Sequence, residues 1–313
     1  MIIFALKRLG FALVTLFLVL TAVFVLVRII PGDPALAIVG EQASEAAAAA
    51  VRSRLGLDQP VYVQYFTFMT QVLRGDFGNS MITDRPVLQE VAAVLPWTLE
   101  LTFAALALGL MLGVPAGVLA AVKRNEIPDY LMRLVSLLGL SAPAFVSAIV
   151  LMMIFSIHLK WFPVISGAGG NSLGEHLRNM VLPTVSLGLF LVAYITRVTR
   201  SAMLEVLNQD FVRTARAKGA PTSVVVWRHA LGNCLIPITT VVGLYLGILI
   251  GNSVLTEIVF SRPGLGKLIL MALSQRDYTL LQGLIVVYTL VVLAVNLVTD
   301  LTYGFLDPRV RYK

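Results

Sequence analysis

The 313-residue chain is 58% hydrophobic and 13% charged, against about 25% charged residues in an average globular domain. This composition excludes an ordinary soluble domain, and the single cysteine, Cys234, excludes a disulfide framework and a cysteine-based metal site. The formal charge of +7 does not point to nucleic acid, because in a membrane protein basic residues first indicate which loops lie inside.

Six apolar runs are long enough to cross a bilayer, which takes about 20 residues. The first run follows Lys7-Arg8, but it is too long for the apolar part of a secretory signal and predicts a retained helix over residues 1–30. The fold class expected is therefore an all-α membrane protein with six transmembrane helices. The six runs are Leu9–Ile30, Trp97–Ala121, Leu134–Ile157, Val181–Thr199, Leu235–Phe260 and Leu280–Tyr303.

The distribution of basic residues predicts the orientation. With the N-terminus in the cytoplasm, most of the 24 Lys and Arg residues fall in inside segments, as the positive-inside rule requires. Both termini are then cytoplasmic, and so is the polar segment Glu205–Pro237. The remaining large polar piece, residues 31–96, lies outside.

The outer segment 31–96 opens with a turn at Pro31–Pro34 and has an alanine-rich helical stretch near Ser44–Leu55. Further along it carries an aromatic patch typical of the membrane interface. We favour a lid packed over the outer helix ends, and the alternative is a platform for an external partner. The patch consists of Tyr62, Tyr65, Phe66, Phe68 and Met69.

Two glycine ladders repeat every fourth residue, one in the second apolar run and one in the fifth. Glycines on one helix face let backbones approach closely, which is how membrane helices pack without a hydrophobic driving force. Packing is the favoured interpretation, and a sliding gate seam between two halves of a pore is the alternative. The ladders are Gly109, Gly113 and Gly117, and Gly243, Gly247 and Gly251.

No catalytic, cofactor or metal motif is found. The three histidines are far apart in sequence and form no H-E-x-x-H pattern. The stretch Pro263–Lys267 resembles a phosphate loop, but Ser261 replaces its first glycine and Leu268 its final Ser or Thr. The chain is therefore predicted to be a non-catalytic subunit that holds no cofactor and no metal.

Three acidic residues lie near the ends of the apolar runs rather than at a midplane, where a proton relay needs them. Glu100 and Glu257 are expected to pair near the outer surface. Asp300 is expected to contact arginines at the inner surface.

The polar segment Glu205–Pro237 predicts two short helices with a break between them. Gly219 can take the left-handed conformation that ends a helix, and Pro221 is typical of a helix start. A unit with so little core of its own favours docking to a partner.

This segment also carries a resemblance. The segment reads Arg213-Thr-Ala-Arg-Ala-Lys-Gly219, then nine residues, then His229-Ala-Leu231. This order of residues is similar to the E-A-A-x-x-x-G-x9-I-x-L-P loop of binding-protein-dependent ABC importer permeases. The form is that of the peptide/nickel branch. Further tags in family order are Ile30–Pro34, Leu55–Pro60, Gly75–Gly78, Leu95–Glu100, Arg262–Gly266, Arg276–Tyr278 and Asp307–Tyr312.

Three positions depart from the family pattern. Arg213 stands in place of Glu and His229 in place of Ile, which both fit the peptide branch. Gly232 replaces Pro, which leaves the bend of the following helix to Pro237.

The resemblance implies the ABC importer permease fold, with residues 97–313 as a five-helix core that includes a cytoplasmic coupling loop at 200–234. That loop would sit in a groove of an ATPase subunit and transmit its closure on ATP to the transmembrane helices. The residues implied in coupling are Arg213, Thr214, Ala215, Arg216, Ala217, Lys218, Gly219, His229 and Leu231.

The partners implied are a second homologous permease, two ATP-binding cassette subunits that hold ATP and Mg, and a periplasmic or lipid-anchored substrate-binding protein. The location implied is the bacterial inner membrane, with lipid around the helices and no nucleic acid. The substrates expected are dipeptides or oligopeptides, and the alternatives are glutathione or nickel. From different classes, the alternatives are an autonomous secondary transporter or channel and a membrane-embedded enzyme.

Overall fold

The computed structural model describes the backbone of residues 2–29, 34–39, 44–54, 56–167 and 172–306. Across these residues the regular elements are helices, and Asn79 and Pro86 form one isolated bridge. The turn at Pro31–Asp33, the side chain of Asp300 and the tag Asp307–Tyr312 lie outside the described residues. The helices are α1 (Ile2–Ile29), α2 (Pro34–Val39), α3 (Glu45–Arg54), α4 (Val61–Leu73), α5 (Val87–Val122), α6 (Ile127–Ser141), α7 (Ala144–Leu151), α8 (Leu173–Val206), α9 (Asp210–Ala217), α10 (Thr222–Val224), α11 (Leu231–Val259), α12 (Leu265–Ser274) and α13 (Tyr278–Leu306).

The chain divides into two compact units. The first unit contains Thr98–Arg262 and the segment that begins at Val298, and the second contains Ile2–Trp97 and Pro263–Leu297. The domain boundaries expected after residues 30 and 96 stay a prediction. In the packing of the structure, residues 263–297 belong to the same unit as the first helix and the outer segment.

Five helices in the described ranges are long and apolar enough to span a membrane, and a sixth span is counted if one bent pair is taken together. The bent pair is α6 with α7 and its π-helical continuation Met152–His158, and the two parts meet at 103°. The apolar run Leu134–Ile157 therefore bends within its length. The cause is Pro143, which has no N–H to donate and disfavours helical geometry in Ala142, whose φ of −101° and ψ of 130° are extended.

In the first unit, α5 and α8 pack closely through the first glycine ladder. A Cβ atom placed on each of these glycines would clash with a side chain of α8, so the two backbones approach more closely than other residues allow. The contacts advance along both helices together, so the helices run parallel. A Cβ atom on Gly109 would lie 2.7 Å from Leu191, one on Gly113 2.9 Å from Ile195 and one on Gly117 2.5 Å from Thr199.

The second ladder does not form one buried row. Gly243 is buried, and a Cβ atom there would clash with Thr299. Gly247 is half-buried and Gly251 is exposed. Close packing is shown at its first member, Gly243.

In the second unit, the aromatic patch of the outer segment divides between two faces of α4. The Tyr65 hydroxyl lies 2.8 Å from that of Thr21, and the Tyr65 ring packs edge-on against Phe24. Tyr62 and Phe66 are exposed. Helix α4 therefore packs against α1 through one aromatic face, and its other aromatic face is exposed.

The start of α13 is tied to the outer segment within the second unit. Asp277 caps the helix by accepting a hydrogen bond from the Leu280 N–H (2.9 Å), and the Ser80 hydroxyl donates to the same carboxylate (2.5 Å). Both side chains are buried. This contact joins residues nearly 200 positions apart, so a local pattern does not reveal it.

We predict that Gly117→Ala lowers the thermal stability of the chain. The added Cβ would lie 2.7 Å from the Thr196 carbonyl oxygen as well as against Thr199, and overpacking of this kind costs about 1–3 kcal/mol. The measurement is the unfolding midpoint in detergent. The control is Gly10→Ala in α1, where nothing lies within 4 Å of the new Cβ; equal midpoints for the two variants would contradict the packing.

Candidate functional site

The polar segment 206–231 forms a helical hairpin between two long helices. Helix α8 ends at Val206, and α9 follows after a short turn and ends with Lys218 as its C-cap. Gly219 has a φ of +78°, the left-handed conformation that the sequence predicts. Pro221 then caps α10, which continues through a π-helical turn at Val225–Ala230 into α11.

Helix α9 is amphipathic. Val212 is fully buried, and Ala215 packs against the same cluster, which includes Met203 of α8 and Val225 of the π-helical turn. On the other face, the side chain of Arg213 is 77% exposed and lies 3.5 Å from Asp210. Helix α9 therefore has a small anchor on the chain's own core and a charged outer face.

The residues implied in coupling divide between these two faces. Thr214 is exposed and its hydroxyl donates to the Asp210 carbonyl within the helix (3.0 Å). Ala215 faces the core, whereas Ala217 is exposed. Those exposed are Arg213, Thr214, Arg216, Ala217, Lys218 and Gly219.

The π-helical turn positions the second half of the segment. Val225, Val226 and Ala230 are buried, whereas the Trp227 side chain is 50% exposed. His229 and Leu231 are half-buried. Such turns are rare and concentrate at functional sites, and here the turn sets a large aromatic surface beside α9, which the sequence motif did not single out.

A buried ion pair lies at the end of the first unit that carries α9. Asp129 is fully buried, and its two carboxylate oxygens accept hydrogen bonds from Nε and Nη2 of Arg200 at 2.7 and 2.8 Å. The Asn125 N–H donates to it as well (2.9 Å). Asp129 was not among the residues expected from the sequence; the available signal was an acidic residue in the first turn of a helix with proline at its start.

A second ion pair lies at the other end of α5. Arg262 Nη2 donates to Glu100 (2.6 Å), and Nε2 of His176 lies 2.5 Å from the other carboxylate oxygen. The expected pairing of Glu100 is confirmed. Burial lowers the pKa of the Arg262 guanidinium, and the charges of Glu100 and Glu257 oppose that shift. Glu257 is buried.

Metal binding would require several ligating side chains to converge on one point. Within the described part of the chain, no group of three or more His, Cys, Asp or Glu side chains is placed to hold a metal ion. The Asp129–Arg200 pair joins α6 to α8, and the Glu100–Arg262 pair joins α5 to the turn after α11, so each pair is a tether between helices.

Comparison with known protein families identifies the family to which the chain belongs. Residues 113–312 match the family described as "Binding-protein-dependent transport system inner membrane component", and residues 1–102 match its N-terminal counterpart. The chain belongs to this permease family. It is accordingly a multi-pass protein of the inner membrane, and the resemblance drawn from the 213–231 motif is confirmed.

Curated relatives align with this permease over almost their full length. The glutathione transport system permease protein GsiC of Salmonella paratyphi A is 40% identical over 99% of both chains. The GsiC protein of Escherichia coli K12 is 39% identical over the same shares. The dipeptide transport system permease protein DppB of Alkalihalophilus pseudofirmus is 40% identical over 100% of both chains.

The fold is also shared with a solved transporter. A chain of the inward-facing MetNI methionine ABC transporter superposes with a TM-score of 0.57 at 20% identity, covering 70% of this permease and 97% of that chain. A second crystal form gives a TM-score of 0.56. At this identity the likeness shows the fold alone.

We predict that Asp129→Asn destabilises the permease. The change leaves the half-buried Arg200 guanidinium without its charged acceptor, which costs roughly 1–3 kcal/mol. The measurement is the thermal unfolding midpoint of the purified protein. Glu126→Gln is the matched control, because its carboxylate is 55% exposed and pairs with Lys123 at the surface; a midpoint for Asp129→Asn as high as the control's would refute the tether.

Proposed function

We propose that this permease forms half of the translocation path of an ATP-driven importer and receives force from a separate ATPase subunit through residues 213–231. The single observation that carries the proposal is the construction of α9. Its buried face joins the ends of α8 and α11 in one core, and its charged face is exposed. An exposed helix anchored in this way can transmit a displacement to the long helices.

The path of that displacement follows the packing of the first unit. Val212 of α9 lies in one cluster with Met203 of α8, Val118 of α5 and Ile238 of α11. Movement of α9 would therefore shift three long helices together, since close-packed interiors transmit strain. The glycine contacts then couple α5 to α8 along their shared length.

The assembly proposed contains four kinds of component. These are this permease, a second homologous permease, two ATP-binding cassette subunits and a substrate-binding protein in the periplasm or anchored to lipid. ATP and Mg would belong to the cassette subunits, and this chain would carry out no hydrolysis. The family description supports a binding-protein partner, and both termini are proposed to be cytoplasmic.

The substrates proposed are short peptides. The curated relatives are named for glutathione and for dipeptides, and both are small molecules built on peptide bonds. Nickel is the alternative cargo that the sequence leaves open. The deciding experiment is uptake by the reconstituted assembly of a labelled dipeptide, glutathione or nickel ion, with and without ATP.

We predict that Gly219→Val lowers ATP-driven uptake about tenfold or more. A β-branched residue at a φ of +78° is strained by about 1–3 kcal/mol, and relief of the strain would displace α9 from its position. Nothing lies within 4 Å of a Cβ atom at this glycine, so steric crowding does not contribute.

The matched control is Gly219→Asn, because asparagine tolerates the left-handed conformation better than other residues with side chains. It should retain most of the uptake. Full uptake by the valine variant, or equal loss in both variants, would contradict the role assigned to this conformation.

We predict that Arg213→Glu with Arg216→Glu reduces the amount of ATPase that co-purifies with the permease. Charge reversal on an exposed interface weakens electrostatic complementarity, whereas exposed side chains contribute little to folding. The thermal stability of the permease alone should stay unchanged. The control is Lys160→Glu, which is exposed at the opposite end of the first unit; unchanged recovery of ATPase with the double variant would count against this contact surface.

A further inference from the structure

The second unit contains a cavity of about 720 Å³, within the range of roughly 300–1,000 Å³ typical of small-molecule sites. Its walls come from the end of α1, the turn after α3, helix α4, the loop around Phe77 and the first turns of α13. The exposed area inside is mostly apolar, with Val27, Phe68 and Met81 among the contributors. A pocket of this size and composition suits a small organic molecule.

Two polar groups in the cavity wall have no hydrogen-bond partner among the residues that the structure describes. Tyr278 is only 6% exposed, yet its hydroxyl has no hydrogen-bond partner among the described residues. Gln282 lies one helical turn further along α13, and its buried Nε2 also has no hydrogen-bond partner among the described residues. Buried polar groups are almost always hydrogen-bonded, so two orphaned donors on one wall indicate an acceptor that belongs to a ligand.

The charges around the cavity favour an anion. Arg28, Arg52 and Asp76 are the charged residues that line it. Arg52 is paired with Glu45 (2.7 Å), so the positive charge that favours an anion is that of Arg28. The hydrogen bonds of Arg28 that the structure shows go to the neutral side chain of Gln64 and to the Phe24 carbonyl, so its charge is not neutralised by them. Asp76 is turned toward the backbone, where it accepts from the Gly78 N–H (2.9 Å).

Three separate sequence tags meet at this cavity, although the coupling function uses none of them. Gly56 belongs to the tag 55–60, Phe77 to the tag 75–78 and Tyr278 to the tag 276–278. Gly56 and Gly78 both have positive φ, 65° and 71°, so the walls are shaped by backbone that favours glycine. The cavity is thus built by specialised turns rather than left between loosely packed helices.

We propose that the second unit of this permease binds a small organic anion, with its carboxylate or phosphate oxygens accepting hydrogen bonds from Tyr278 and Gln282. Arg28 supplies positive charge at the same site, and the apolar body of the ligand lies against Val27, Phe68 and Met81. This site is separate from the coupling segment. Its chemistry suits two sources, the terminal carboxylate of a short peptide and the phosphate of an acidic phospholipid.

The test is direct binding to the full-length permease in its purified membrane complex, without added substrate-binding protein. One arm titrates labelled glutathione, and the other measures phosphatidylglycerol retained after delipidation and exposure to vesicles of that lipid. We expect one of the two probes to saturate at one site per chain. Binding in the first arm assigns the site to peptide, and binding in the second assigns it to lipid.

Two conservative variants decide whether the bound probe occupies this cavity. Tyr278→Phe and Gln282→Leu each remove one donor to an anion, and each should weaken binding about tenfold or more. The unliganded Tyr278→Phe protein should be as stable as the parent, because the hydroxyl has no partner to lose. Tyr62→Phe is the control, since Tyr62 lies on the exposed face of α4, and its binding should be unchanged.

The proposal is overturned if neither probe binds the parent protein, or if both cavity variants bind as tightly as the parent. ATP-driven uptake is recorded on the same preparations. Uptake that fails while binding persists would count against the proposed transport function alone. Binding that fails while uptake persists would count against this site alone.

Discussion

The close approach of α5 to α8 is the constraint on which the first unit depends. In a bilayer, lipid tails are as apolar as leucine, so helices associate through packing rather than through exclusion of water. Glycines at 109, 113 and 117 let α8 side chains sit where Cβ atoms would otherwise stand. Because the contact runs in register over three positions, it fixes the relative height of the two helices. The charged clusters at either end of α5 are positioned by that register.

Those two clusters lie at opposite ends of the first unit. About twenty residues of helix separate Glu100 from the end of α5, which corresponds to roughly 30 Å. The Asp129–Arg200 pair lies at the end that carries α9, and the Glu100–Arg262 pair lies at the other. Buried pairs add little net stability but make misplacement of either partner costly. They therefore specify the helix arrangement more than they stabilise it, and they leave the middle of the bundle largely apolar.

Local chemistry predicted much of this structure. Hydropathy located the spans, and the Gly219 conformation followed from the order of residues around it, because both depend on neighbours in the chain. Hydropathy does not reveal the bend at Ala142-Pro143, because the helices on both sides of it are apolar. The partners of Gly117 and Asp129 lie about 80 and 71 positions away in sequence. A periodic pattern identifies a packing face but does not say which helix will cover it.

The two faces of α9 are set by long-range contacts as well. The spacing of the motif marks a helix, but it does not say that Ala215 turns inward while Ala217 stays exposed. That orientation is set by Val212, which is buried in one cluster with residues of α8, α5 and the π-helical turn. A helix of eight residues has too little surface to fold alone, so its position depends on the ends of the long helices beneath it. Because α9 packs on the helices that it would move, it has no separate core to resist the movement, which is the property that the proposed coupling role requires.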